Sequence, residues 1–496
     1  MTVRAGTAGQ DDAGWLQMLI AVLGALLIVR LVALSFNATD LFFDEAQYWS
    51  WSLEPAFGYY SKPPLIAWVI RAATDTCGLS EFCIRLPSPI IHSATALAVY
   101  AAAVKLYDRR TAFWSAVAFA TLPGVSLSAG IISTDVPLLF FWAVALYAFV
   151  SLVTSDRWWP SLVLGLALGL GLNAKYAMIY FVLCAAVYLL SVPERRCLLR
   201  DARVYVALGL GLLLIAPNLL WNASNSFATF AHTADNARWT GPLINPGKGL
   251  EFFGAQFGVF GPILFGSLLV IMARAWRQGL PPPDRLLLSF ALPVIVIVTA
   301  QAFLSRAHAN WAAVAYVSAT VLVTATLIRE LSWRWLKASL ALHVAILAAI
   351  GLATATAGSF RLPGGGDPFA RTLGWRGLGE ATTAVLDDAR RAGRPFSAVL
   401  TDDRAITAEL LYYMRGDTFV FAWHEAGSRP RDHYELSRAY SKGAPEPVLL
   451  VSLRREAGRI GESFATVELV GTRDVPAGAG PARRVTFIRL EGFKGD

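Results

Sequence analysis

Long uncharged apolar runs set the first limit on what this chain can fold into. They lie near 15 to 36, 84 to 104, 111 to 129, 135 to 153, 160 to 173, 176 to 191, 203 to 221, 251 to 273, 286 to 304, 311 to 328 and 336 to 356. A helix needs ~20 apolar residues to cross a hydrocarbon core, so the pattern predicts an all-α polytopic membrane domain of about eleven spans. The fifth and sixth runs are short and read as a hairpin with Asn173, Ala174, Lys175 and Tyr176 at its tip. Composition agrees: 55% of residues are hydrophobic and only 16% charged, with a mean hydropathy of +0.50, far from the quarter or so of charge usual in soluble domains.

The net charge of +8 does not mark a nucleic-acid binder, because the cations sit in short clusters between apolar runs. Cytoplasmic loops collect Lys and Arg, and every alternate loop here is basic. With the N-terminus inside, the inner loops hold Lys105, Arg109 and Arg110; Arg157; Arg195, Arg196, Arg200 and Arg203; Arg274, Arg277 and Arg285; and Arg329, Arg334 and Lys337. The first fourteen residues are polar with one cation, Arg4, so the run from Trp15 to Phe36 reads as an uncleaved first span. An odd number of spans then leaves the segment after residue 357 outside, and a bacterial inner membrane is the expected location.

That last segment changes character. It opens on Pro363, Gly364, Gly365 and Gly366 and becomes mixed in charge. SAVLTDD, TFVFAW and EPVLLVSL read as strands, and 377 to 392 and 405 to 414 as helices, which predicts a small α/β domain over 357–496. The expected division is a cytoplasmic N-terminus of 1–14, a membrane domain of 15–356 with an outer loop at 37–83, and this periplasmic domain. Cys77 and Cys83 fall in the outer loop, where a local disulfide and two free thiols are both open; Cys184 reads as intramembrane and Cys197 as cytoplasmic.

The residues fit for chemistry gather on the outer side. The outer loop carries LFFDEAQYWSWS and FGYYSKPPLIAW, with Asp44 and Glu45 beside a membrane surface among aromatics. Carboxylates are costly there unless solvated or paired. An interfacial amphipathic helix with its acids facing water is the plainer reading. Asp135, in GIISTDVPLLF, falls on the same side at the mouth of the fourth span, where helix capping is its plainer role. Convergence of all three acids on one face points instead to acid–base work or a metal. Cations complete the set: Lys62, Lys175, Arg306 and His308 all map to outer loops, each alone explicable as a snorkelling or interfacial side chain. Together they suit a phosphate leaving group while a carboxylate deprotonates an acceptor.

These motifs resemble those of the glycosyltransferase C superfamily, specifically bacterial families 39 and 83, similar to protein O-mannosyltransferases and the lipid A aminoarabinose transferase. FFDEAQYW resembles the acidic motif of the family's first outer loop, YSKPPL the motif just after it, and ISTDVP the second acidic motif. The resemblance implies a polyprenyl-phosphate-linked sugar donor and an envelope acceptor, whether glycan, lipid or protein. It implies Asp44 as base, with Glu45 and Asp135 as the further acids, and Lys62 on the donor phosphate. Lys175, Arg306 and His308 join the phosphate set by charge and side, and Tyr59 and Tyr60 are expected to line the substrate. A divalent metal is left open; if held, it would fall on Asp44, Glu45 and Asp135. Membrane lipids are the remaining partners. The competing readings are a transporter or flippase of lipid-linked sugars, disfavoured by largely charge-free spans, and an assembly protein whose loop docks a partner.

Overall fold

The computed structural model describes residues 8–237, 244–330, 332–362, 366–414 and 418–495. Arg4, Pro363, Gly364 and Gly365, all invoked above, lie outside the described residues. The chain is mostly helical, with one small sheet near its C-terminus. It divides into two compact units: Met1–Ser35, Lys62–Ile66 and Arg85–Gly351 in the first, and Phe36–Ser61, Ala67–Ile84 and Leu352–Asp496 in the second. The division differs from two successive domains: most of the 37–83 loop packs with the C-terminal segment rather than with the bundle.

In the helical unit, six helices among the described residues are long and apolar enough to cross a membrane: Gly14–Ser35, Glu81–Leu106, Asp135–Thr154, Ala202–Ser224, Pro282–Leu304 and Trp333–Ala355. Trp159–Ala174, Tyr176–Ser191 and Ala315–Arg329 are shorter apolar helices. The continuous apolar run at 251–273 is not a straight span. It is two helices, Pro246–Val259 and Pro262–Gln278, bent by 116° at Phe260 and Gly261. Gly261 holds a φ of 87°, a region that residues with a Cβ rarely adopt, and Pro262 begins the second helix.

Close approach of two helices fixes the hairpin tip. A Cβ at Gly165 would lie 2.8 Å from the Ala207 carbonyl oxygen, and one at Gly169 2.5 Å from Leu214 Cβ. This small-residue seam seats Trp159–Ala174 against Ala202–Ser224, and Asn173 Nδ2 donates across it to the Leu214 carbonyl at 3.0 Å. Lys175 follows directly on the helix so placed.

The basic loops of this unit are knitted to one another. Tyr107 Oη donates to Asp284 Oδ1 at 2.7 Å, Arg329 Nη2 to Asp284 Oδ2 at 2.7 Å, and Arg110 lies over the Trp333 ring. Arg195 Nη1 donates to the Val153 carbonyl at 2.9 Å, and Arg203 lies 3.7 Å from Asp156. Loops read as cytoplasmic from charge alone thus meet loops of the same set.

The second unit is built on a five-stranded sheet: β1 Ala398–Thr401, β2 Phe419–Ala422, β3 Val448–Ser452, β4 Phe464–Val475 and β5 Arg483–Phe493, in the order β2-β1-β3-β5-β4. β1 pairs parallel with β2 and β3, while β5 runs antiparallel to β3 and β4. Both faces are covered. Leu449 and Val451 of β3 enter one apolar cluster with Trp375, Leu378 and Leu410, and Val448 and Leu450 enter another with Tyr440 and Phe464. Burial on both faces explains why these strands read as unbroken apolar runs. The loop segments join this unit through specific bonds: Leu41 N–H donates to Tyr413 Oη at 2.9 Å, and Trp375 N–H to Asp40 Oδ2 at 2.8 Å. Burial raises the Asp40 carboxyl, a rise that the N–H groups of Arg376 and Trp375 moderate. Cys77 and Cys83 form a disulfide, which closes the alternative left open above.

Candidate active site

Asp44 lies in the first turn of the Phe43–Leu53 helix, within the second unit. Its Oδ1 accepts from Arg404 Nη1 at 2.9 Å, and the same Nη1 donates to Gln47 Oε1 at 2.9 Å. The Arg404 guanidinium also lies 4.8 Å from the centre of the Phe43 ring. Three side chains of one helical turn therefore grip a single guanidinium. Arg404 opens the Arg404–Tyr413 helix, whose N-cap Asp403 accepts from the Ala405 N–H. Burial alone would lower the Arg404 pKa, but the charge and hydrogen bond of Asp44, with Tyr48 and Tyr434 beside it, together hold the guanidinium above its ordinary value. Asp44 keeps 37% of its side chain exposed, so a hydroxyl from solution can reach it.

Glu45 has a different environment. It is 1% exposed, and its Oε2 accepts the Phe42 N–H at 2.9 Å, the reach-back of a capping residue. Tyr59 and Tyr60 are likewise engaged. Tyr59 stacks on Trp51 at 4.6 Å and donates to the Trp51 carbonyl at 2.8 Å, and burial pushes its phenol up to about 12. Tyr60 donates to the Pro430 carbonyl at 2.8 Å. Both hold the loop in shape.

In the helical unit, Asp135 begins the Asp135–Thr154 helix. Its carboxylate is not spent on capping: Oδ1 accepts from Lys175 Nζ at 2.7 Å, and Oδ2 from Asn310 Nδ2 at 2.6 Å. The lysine and aspartate side chains are 19% and 11% exposed, enough desolvation to make the pair stronger than a surface one. Asn310 lies in the short turn Ala309–Ala312 of SRAHANW. That turn is anchored by Gln256, whose Nε2 donates to the Ala309 carbonyl at 3.3 Å while its Oε1 accepts from Tyr316 Oη at 2.6 Å. Three outer segments read from sequence are thereby joined around one carboxylate.

Arg306 and His308 are exposed on the same stretch, with the His308 ring edge-on to Trp311 at 5.5 Å. Lys62 is half-buried in the Lys62–Ile66 segment, which groups with the helical unit, as Asp135 and Lys175 do. Asn310, Gln47 and Arg404 were not singled out from sequence. Gln47 lies in LFFDEAQYWSWS, quoted above as a motif, but a lone Gln, Asn or Arg carries no signal of its distant partner. Among the described residues no three His, Cys, Asp or Glu side chains come together as a metal site.

Arranged in this way, a half-exposed carboxylate fixed through one oxygen is suited to accept a proton, and the lysine–aspartate pair supplies a fixed cation. The family described as dolichyl-phosphate-mannose-protein mannosyltransferase matches residues 61–221. The chain is 39% identical to the lipid A galacturonosyltransferase RgtD of Rhizobium johnstonii over 437 residues, covering 88% of this chain and 90% of that one. It is 28% identical to the lipopolysaccharide core galacturonosyltransferase RgtA of the same organism, over 52% of each chain. In fold it is similar to ArnT from Cupriavidus metallidurans bound to undecaprenyl phosphate, with a TM-score of 0.65 at 16% identity over 96% of this chain and 98% of that one. The apo state of that protein gives a TM-score of 0.62. With this extent of identity to the lipid A enzyme, the chain belongs to the glycosyltransferase C superfamily, as a multi-pass membrane glycosyltransferase of its bacterial branch.

Proposed function

We propose that this glycosyltransferase moves a uronic acid, galacturonic acid, from a polyprenyl phosphate to lipid A or the adjoining lipopolysaccharide, with Asp44 as the base. The sugar and acceptor rest on the relative that is 39% identical over 90% of its length, and the lipid phosphate on the similar fold that holds undecaprenyl phosphate. The observation that carries the chemistry is the Asp44 carboxylate, half-exposed and tied to Arg404 through Oδ1 only. In the step we assign, an acceptor hydroxyl gives its proton to Asp44 Oδ2 as its oxygen bonds to the anomeric carbon. The bond from that carbon to the phosphate oxygen breaks, and its electron pair leaves with the polyprenyl phosphate. A single displacement of this kind inverts the anomeric centre. Lys62 and Lys175 balance charge on the leaving phosphate, with exposed Arg306 and His308 in the same set, and Asp135, itself held by Asn310, keeps Lys175 in place. Glu45, Tyr59 and Tyr60 keep the loop that carries Asp44 in its fold.

Purified protein reconstituted with a polyprenyl-phosphate-linked galacturonic acid and lipid A should form a product heavier by one hexuronosyl residue. A neutral hexose on the same lipid should react at least about 10-fold more slowly, as a charged substituent that the site pairs with a cation distinguishes substrates by that order. Equal rates for the neutral donor would remove the uronic acid from the proposal.

About eleven spans with the N-terminus cytoplasmic and the C-terminal unit periplasmic complete the reading. The joined basic loops support one end as cytoplasmic, and the Cys77–Cys83 disulfide supports an oxidising compartment for the second unit. A cysteine at Ser61, in a Cys184→Ser, Cys197→Ser background, should react with an impermeant maleimide added to intact spheroplasts. Reaction only after lysis would invert the topology.

A further inference from the structure

We infer that Arg404 is a positioning residue for Asp44, so that the C-terminal part of the chain completes the base supplied by the outer loop. The inference rests on the proposed role of Asp44. Asp44 occupies the second position of its helix, where a carboxylate readily turns back onto the helix's own free N–H groups. Glu45 already takes the Phe42 N–H in that way. Arg404 draws Asp44 outward instead: Oδ1 takes the guanidinium, and Oδ2 has no protein donor among the described residues. One oxygen is thus fixed and the other is left for the acceptor hydroxyl.

The guanidinium is itself held. Its Nη1 is shared with buried Gln47, its face lies on Phe43, and its backbone opens a helix packed into the sheet cluster through Ile406 and Leu410. A planar fork gripped at three points defines a direction that a flexible ammonium does not. The stretch 37–61 around Asp44 holds no Lys or Arg, so its neighbours in sequence cannot supply this cation and a residue from the far end of the chain does.

The test is a kinetic cycle on the full-length membrane enzyme, comparing wild type, Arg404→Ala, Arg404→Lys, Asp44→Asn and the double variant Asp44→Asn, Arg404→Ala. Arg404→Ala should lower kcat about 30-fold, as misplacement of a reacting group by about an ångström costs up to about 10²-fold, while both KM values stay within about threefold. Arg404→Lys should fall between, and added guanidinium ion should restore part of the Arg404→Ala rate. In the Asp44→Asn background, Arg404→Ala should have no further effect, because a positioning residue acts only through the group that it positions. A thermal unfolding curve for Arg404→Lys and Arg404→Ala within a few degrees of wild type separates this loss from misfolding. If Asp44→Asn is inactive but Arg404→Ala transfers at the wild-type rate, or if Arg404→Ala costs as much without Asp44 as with it, the inference is overturned and the base remains. If Asp44→Asn keeps full activity, the base itself is wrong, and Arg404 loses its role with it.

Discussion

Asp44→Asn is expected to lower the transfer rate about 10³-fold, the middle of the range for removing a general base. Asparagine keeps the shape and retains an acceptor oxygen for Arg404, but its amide cannot take the proton of an attacking hydroxyl. The side chain is 37% exposed, so losing its charge partner should cost Arg404 no more than about 1 kcal/mol of stability. Expression, membrane insertion and the unfolding midpoint should therefore match wild type. Initial rates at saturating donor and acceptor check the prediction, and a loss confined to KM would make Asp44 a binding group instead.

Asp135 and Lys175 give the second large effect, and one with an internal control. Asp135→Asn leaves the lysine without its counter-charge in a site only 19% exposed, which should destabilise the helical unit by about 2–3 kcal/mol, between the values for exposed and buried pairs. It should also cut transfer about 10²-fold, because the lysine is no longer aimed. Replacing both, as Asp135→Asn with Lys175→Met, removes the orphaned charge and should recover most of the stability. Activity should stay low, since the cation proposed to balance the leaving phosphate is gone. Unfolding curves in detergent and transfer rates on the three proteins decide it: a double variant that regains activity along with stability would make the pair purely structural.

Much of the arrangement was legible because bilayer spans and acidic outer loops leave strong local marks. The apolar runs at 135–153 and 203–221 return as Asp135–Thr154 and Ala202–Ser224, and Lys175 returns at the tip of a hairpin beside Asp135. The bend at Gly261 was not legible, because hydropathy averages across Phe260, Gly261 and Pro262 and cannot register a turn inside an apolar run. β4 was missed for the opposite reason. β4 is an edge strand exposed along most of its length, with Glu468, Arg473 and Asp474 breaking the apolar pattern that revealed β1 and β3. The packing of the outer loop with the C-terminal segment depends on single bonds between remote residues, such as Leu41 to Tyr413 and Asp44 to Arg404. One sequence holds both partners of such a bond without saying that they meet. Capping is a further case: Asp135 sits where a cap is expected, yet its oxygens go to Lys175 and Asn310, while buried Glu45, read as a catalytic neighbour, holds a helix N-terminus.

The central claim, that a lipid-phosphate donor is consumed by a chain whose base is Asp44, is tested most directly by quantifying both products of one reaction. Wild-type protein and Asp44→Asn, each reconstituted in liposomes with the galacturonosyl lipid donor and lipid A, should be analysed by mass spectrometry over the same interval. Wild type should release polyprenyl phosphate in equal amount to the hexuronosylated lipid A formed, and Asp44→Asn should release almost none. Glycosylated product without matching polyprenyl phosphate, or equal yields from the two proteins, would contradict the account.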